Sequence, residues 1–461
     1  MRVGSLGFVL GTLFLLDTSL SVFLVKYAVG GVPLRAIVSI VLLAITGLMC
    51  PSLLATGIRR LQLPIMIIGY CGLVAILSSV LNSTPLRDLL QQLLELHVQA
   101  VVSLLVGYVV LAVCGPRWTV VLFGLPIVLS GFVAALQFLG VGIAWSAHDF
   151  LLQLQPRDPT ILRTFRDEQG RAMGLSFDPV HLGTEACLLF AACIGYLRRK
   201  SVRFPVLHGV DLRVLLLFVF VMAIAVVSGN RSPLLGFVVS LLLYTFFANR
   251  RLFLFVLAAA AAAALLWTAI DAWLADTGLR ALDTSNSSSE NRAVLRKLGM
   301  LLFLHRPFGY GVNFDSTQHW WFFWDQLAQY PNSMAVRIDA LHNYYLMILN
   351  KNGFLLLAAV PFVIRALFSS RAILLSFVPY MIHIFFHNTG PLQGDVFIWF
   401  IMPMFMDVAR DFRRAGITTA RTSRGRFLRI DKRPLAVGRG HALRRQTFNQ
   451  IEDGRSPAAT S

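Results

Sequence analysis

Arg337-Ile-Asp339-Ala-Leu-His342-Asn343-Tyr-Tyr-Leu-Met-Ile-Leu-Asn350-Lys-Asn-Gly353-Phe-Leu-Leu-Leu-Ala-Ala-Val-Pro-Phe-Val-Ile364 carries the chain out of a long polar segment and into an apolar run. Upstream of it, residues 272–340 hold six Lys/Arg, two His and the string Trp320-Trp321-Phe322-Phe323-Trp324, all between two stretches apolar enough to cross a bilayer. Connections of that length are usually functional or disordered. The boundary at His342-Asn343 therefore puts chemistry at a membrane surface, and the rest of the chain is read outward from it.

With 461 residues, 56% of them hydrophobic and 14% charged, and a mean hydropathy of +0.69, a soluble domain is excluded. The apolar runs repeatedly reach the ~20 residues that a ~30 Å hydrocarbon core requires. They predict an all-α polytopic membrane protein of about twelve transmembrane helices, near 5–25, 33–50, 62–81, 98–114, 119–139, 177–197, 213–228, 234–248, 252–271, 342–364, 372–388 and 392–409, with one large outer loop between the ninth and tenth. The first run looks like a secretory signal, but Asp17 interrupts it and no clean cleavage site follows, so it reads as an uncleaved span.

With the N terminus inside, the short inner loops carry Arg59-Arg60, Arg117, Arg198-Arg199-Lys200, Arg250-Arg251, and Arg365 with Arg371. That distribution obeys the positive-inside rule and puts both termini in the cytoplasm. Residues 1–409 are read as the transmembrane unit, with 140–176 and 272–340 as its main outer loops, and 410–461 as a basic, disordered tail. From Asp407 onward thirteen Arg/Lys face five Asp/Glu, a balance that suits anionic headgroups. Without aromatic interleaving or a known motif, no nucleic-acid partner is expected. Cys50, Cys71, Cys114, Cys187 and Cys193 lack any metal-ligand spacing and read as packing residues.

The outer side departs from the charge rule. Arg157, Arg163, Arg166 and Arg171 lie in 140–176, Arg231 follows the seventh span, and the long loop adds Arg280, Arg292, Arg296, Lys297, Arg306 and Arg337. Guanidinium groups stay charged and grip phosphate oxygens through a planar fork, so several at one face suit a diphosphate-bearing lipid. The plainer alternative is that outer carboxylates such as Asp149, Asp158, Glu290 and Asp339 pair with them.

Four strings then occur in order: Arg171-Ala-Met-Gly174-Leu-Ser-Phe177-Asp-Pro179, Ser228-Gly-Asn-Arg231-Ser232, His305-Arg-Pro307-Phe308-Gly309-Tyr-Gly311, and His342-Asn343-x9-Gly353. Over roughly residues 140–400 the chain resembles the O-antigen ligase and Wzy-type polymerase superfamily, in which the last His-Asn pair follows the largest periplasmic loop. The resemblance implies a glycosyltransferase of the bacterial inner membrane that moves a glycan from undecaprenyl pyrophosphate to a hydroxyl acceptor at the periplasmic face, with no cofactor and no metal. Its partners would be the lipid-linked glycan, an acceptor glycan or lipid A core, and a chain-length regulator and flippase. The Arg163-x10-Gly174 spacing also occurs in outer loops of some polymerases, which favours polymerisation of a surface or exopolysaccharide; ligation to lipid A core is the alternative.

Displacement at an anomeric carbon needs positive charge around the leaving diphosphate and a group that orients or deprotonates the incoming hydroxyl. Arg231 and His342 are the candidate catalytic residues; Arg163, Arg166, Arg171, Arg292 and Asn343 are candidates for holding diphosphate or glycan, with capping an equal reading for Asn343. Gly353 reads as a close-packing site rather than a chemical one. His181 and Glu185, four apart, form either an acid/base pair or a structural hydrogen bond. His383 and His387 share that spacing, but two ligands make a poor metal site. Asp17 and Asp395 are costly in lipid and are expected to face the bundle interior. The Trp320–Trp324 run reads as an interfacial belt, with sugar stacking the sharper alternative. A transporter or flippase is the rival class, and no internal repeat supports it.

Overall fold

The computed structural model describes residues 3–29, 32–155, 170–200, 211–265 and 288–405. Arg163 and Arg166 lie outside these residues, as does the basic tail. Chain contacts separate residues Met1–Val408 from Ala409–Ser461.

The first unit is helical, with one two-stranded ribbon pairing Ala28–Val29 against Val32–Pro33. In chain order come α1 (Val3–Phe23), α2 (Leu34–Met49), α3 (Pro51–Arg60), α4 (Gln62–Leu81), α5 (Leu86–Gln92), α6 (Gln99–Phe138), α7 (Gly142–Gln153), α8 (Pro179–Lys200), α9 (Leu212–Val227), α10 (Arg231–Ala248), α11 (Arg250–Leu265), α12 (Ser288–His305), α13 (Tyr344–Asn352), α14 (Val360–Phe368), α15 (Arg371–Phe385) and α16 (Phe397–Ile401), with shorter turns between them. Among the described residues five helices are long and apolar enough to cross a membrane, and up to seven if each of two bent pairs is one span. One of the five, Leu86–Phe138, is 53 residues long and breaks at Gly115, where φ is 79° ahead of Pro116. Glycine accepts that conformation and proline cannot continue the hydrogen-bonded ladder, so the stretch is two helices.

Three expected spans take other forms. The run 342–364 is no straight helix, because α13 stops at Gly353 and the chain turns by 119° before continuing. The run 33–50 continues through a 116° bend into α3, whose N1 proline is preset for a helix start. The last run begins as a loop through residue 396, and only Phe397–Ile401 is α-helical before a tighter turn to Phe405. Within the long polar segment, residues 288–340 hold a helix and shorter turns. Its helix α12 buries Val294, Leu295, Leu298 and Leu302, the i, i+1, i+4, i+8 stripe of an amphipathic helix, and exposes Met300 and Leu304.

The core is aromatic. Phe14 meets Phe400 edge-on at 5.4 Å, and Phe190 lies 4.8 Å from Phe218. Small residues allow the closest approaches. Gly107 abuts the Phe400 backbone, and at Gly236 an added Cβ would sit 2.6 Å from Pro379 Cα. Asp17 and Asp395 are buried as expected, the first accepting from Ser39 and the second from Tyr380 at 2.9 Å. All five cysteines are free.

Candidate active site

The segment preceding α8 is fastened across the end of α6 by one glutamine. Gln137 Oε1 accepts from the amides of Met173 (2.9 Å) and Gly174 (2.8 Å), while its Nε2 donates to the Gly174 (3.0 Å) and Ala144 (3.1 Å) carbonyls. Gly174 has φ +63° and lies against the Ser130 backbone, so a side chain is excluded both by conformation and by space. Packing thus accounts for the glycine of the Arg163-x10-Gly174 spacing. Ser176 donates to Glu185 at 2.6 Å and His181 Nδ1 lies 3.1 Å from Asp178, so the expected His181–Glu185 pair is replaced by two separate contacts.

Arg171 joins the first string to the second. Its Nε donates to the Ser228 carbonyl (3.1 Å) and its Nη2 to Asn230 Oδ1 (2.6 Å). Gly229, at φ +64°, leaves room for that side chain, since a Cβ there would lie 3.2 Å from Arg171 Cγ. Asn230 completes the joint by donating to the Pro179 carbonyl and to Ser228 Oγ. Arg231 is the first residue of α10, half-buried, and Ser232 beside it bonds His383 Nδ1 (2.9 Å) and His387 Nε2 (3.0 Å).

The fourth string and α12 meet this joint. Arg292 stands 5.9 Å above the Phe386 ring, next to His387, and its Nε is buried with no hydrogen-bond partner among the described residues. Burial, and after it the charges of Arg231 and Arg296, hold its guanidinium below the ordinary arginine value. An orphaned guanidinium donor among like charges has room for an anion. His342 is half-buried, just ahead of α13, and its Nδ1 lies 2.9 Å from the Ala340 carbonyl. A carbonyl only accepts, so Nδ1 carries the proton and Nε2 keeps its lone pair. Burial pushes the His342 ring below the usual imidazole value, with the Arg292 charge adding to that and Asp339 opposing it. The ring is a neutral base. Asn343 caps α13, its Oδ1 accepting from the Leu346 amide at 3.0 Å, which is the capping reading.

The third string joins through its backbone. It clasps the end of α13 by backbone: the Tyr310 amide donates to the Asn350 carbonyl (2.8 Å), Gly311 to Lys351 (3.0 Å) and Phe354 to Pro307 (2.7 Å). Gly353 has φ +80° and presses on the Phe308 backbone, so its close packing is against a loop rather than a helix. Two other arginines of the polar segment face rings: Arg306 lies 5.1 Å from the Tyr310 centroid and Arg337 4.8 Å from Trp320. Trp321 and Phe322 of the aromatic run are exposed.

Of the sequence candidates within the described residues, Arg231 lies near enough to Arg292, and Arg292 near enough to His342, for their charges to interact, and Arg171, Arg292 and His342 all act on His387. Residues 215–360 match the model of the family described as O-Antigen ligase. The match holds the second, third and fourth strings and Arg292, and it agrees with the resemblance those strings carry. No curated protein matches the chain. Arg171, on the N-terminal side of the matched segment, reaches the site through its bonds to Ser228 and Asn230. That Ser232 bonds both His383 and His387 was not legible in the sequence, because Ser232 and His383 are 151 residues apart.

Proposed function

We propose that the protein is a membrane glycosyltransferase that moves a glycan from undecaprenyl pyrophosphate to a hydroxyl acceptor at the periplasmic face of the bacterial inner membrane. The observation that carries this reading is the proximity of Arg231 to Arg292 and of Arg292 to His342, whose Nε2 is a lone pair. The acceptor oxygen attacks the anomeric carbon, and its proton passes to His342 Nε2. The bond from that carbon to the diphosphate oxygen breaks, and the electron pair leaves with the diphosphate. Arg231 and Arg292 stabilise the charge that develops there, which is where electrostatic catalysis has most effect. Arg163 and Arg166 would extend the diphosphate site, and Asn343 would hold the acceptor while capping α13.

Polymerisation, with a second lipid-linked repeat as acceptor, is our reading from the Arg163-x10-Gly174 spacing; a chain-length regulator and a flippase would then be its partners. Ligation to lipid A core is the second reading, favoured by the description of the matched family. Both termini would be cytoplasmic.

The test uses purified protein in lipid vesicles with an undecaprenyl-pyrophosphate oligosaccharide, with and without lipid A core. His342→Ala should cut transfer by roughly 100-fold with normal membrane abundance. In the native protein kcat/KM should fall on the acid side only below the ordinary imidazole pKa of about 6.5, because a lowered pKa keeps His342 unprotonated until lower pH. Unchanged transfer by His342→Ala would defeat the mechanism. Product formed only when core is present would replace polymerisation by ligation.

A further inference from the structure

A single-file chain of hydrogen bonds links Thr184, His383, Ser232 and His387, and the tautomers of its two imidazoles set the direction of each joint. Thr184 Oγ1 lies 3.2 Å from the Val180 carbonyl and 2.9 Å from His383 Nε2; while its one proton goes to the carbonyl, it accepts from the ring. With Thr184 so engaged, His383 carries its proton on Nε2 and keeps a lone pair on Nδ1. Ser232 Oγ, 2.9 Å from that Nδ1, must donate to it. With its proton so engaged, Ser232 accepts from His387 Nε2 at 3.0 Å. His387 is left with N–H at Nε2 and a lone pair at Nδ1. Since the chain ends on a carbonyl, which takes up no proton, it fixes a tautomer and does not conduct.

His387 lies among Arg171, Arg292 and His342, near enough for each charge to act on it, and the neighbouring Phe386 ring sits under Arg292. Among the described residues its Nδ1 takes no hydrogen bond. A site lined by guanidinium groups offers donors alone, because arginine has no acceptor. A sugar hydroxyl that is to be fixed in orientation also needs an acceptor, and so does an incoming nucleophile.

We propose that His387 is a second substrate-binding histidine, its Nδ1 held by the Ser232–His383–Thr184 chain as the acceptor for a hydroxyl of the bound glycan, beside the base His342. This rests on the glycosyltransferase reading above. His342 takes the proton that leaves; His387 keeps a hydroxyl that stays.

Two measurements test it. Nitrogen-15 spectra of the full-length protein in lipid nanodiscs, with His387 assigned through the chain's Phe386-His387 peptide, should show a protonated Nε2 and a bare Nδ1. The Nδ1 resonance should move when undecaprenyl-pyrophosphate oligosaccharide is added. A protonated Nδ1 in the free protein, or no movement on saturation with that oligosaccharide, overturns the proposal whether or not transfer is observed. In the transfer assay His387→Gln keeps a donor for Ser232 but lacks the acceptor, and His387→Asn keeps an acceptor near Nδ1. His387→Gln should raise KM for the glycan roughly tenfold, the effect of losing one hydrogen bond of about 1.4 kcal/mol, with thermal unfolding unchanged. His387→Asn should recover part of the loss. Equal KM for His387→Gln and the native protein sinks the proposal while leaving the transfer function standing; absence of transfer from the native protein sinks that function, and the spectra still decide the tautomer and the binding.

Discussion

The four strings pair off into two joints built by opposite means. Where the first string meets the second, side chains do the joining: Arg171 reaches Ser228 and Asn230, and Asn230 reaches back to Pro179. Where the third meets the fourth, the amides of Tyr310, Gly311 and Phe354 bond carbonyls directly, with Gly309 and Gly353 in conformations that side chains rarely adopt. A side-chain joint gathers charge, and beside it stand Arg231, Arg292 and His342. A backbone joint fixes geometry, here the end of the helix that begins at His342. One sequence signature thus contains residues of two kinds, and the difference is testable.

The largest effect is expected at the backbone joint. Gly353→Ala costs about 1–2 kcal/mol for the positive φ alone, and the new methyl meets the Phe308 backbone, which cannot step aside. Membrane abundance and activity should be lost together, as judged by immunoblot and by transfer per molecule of surviving protein. Normal abundance would mean that the α13 break is not a structural requirement. Arg231→Lys comes next. It should leave abundance intact and lower transfer roughly 10-fold or more, since an ammonium cannot reproduce the planar fork of a guanidinium. Full activity would make Arg231 a helix anchor and move the chemistry to Arg292. Smallest is Asn343→Ala, which removes the α13 cap and should cost about 1 kcal/mol of stability, read as a drop in thermal unfolding temperature with transfer reduced severalfold at most. A loss of activity as deep as that of His342→Ala would add substrate contact to its capping role.

The fold class was legible because transfer of about 20 apolar residues into lipid is a local property of each run. Irregular spans were not. Nothing local in Leu-Asn-Lys-Asn-Gly353-Phe-Leu distinguishes a pause in a helix from a 119° turn, because the turn is held by Pro307, Tyr310 and Gly311, which lie outside the run. Burial of Asp17 and Asp395 was predictable from the cost of charge in hydrocarbon, while their hydrogen-bond donors, Ser39 and Tyr380, were not.

By itself the sequence determined the membrane class, the order of the motifs, and the excess of arginine around the His342 boundary, all of which depend on residue type and spacing along the chain. Only the tertiary structure decided that Arg171 braces Asn230, that Arg292 arrives from α12 with an orphaned Nε, and that His387 enters the site through Ser232. The physical reason is directional. Apolar burial is summed along a run of sequence, whereas a hydrogen bond needs one donor and one acceptor at contact distance, and in this protein those partners come from helices far apart in the chain.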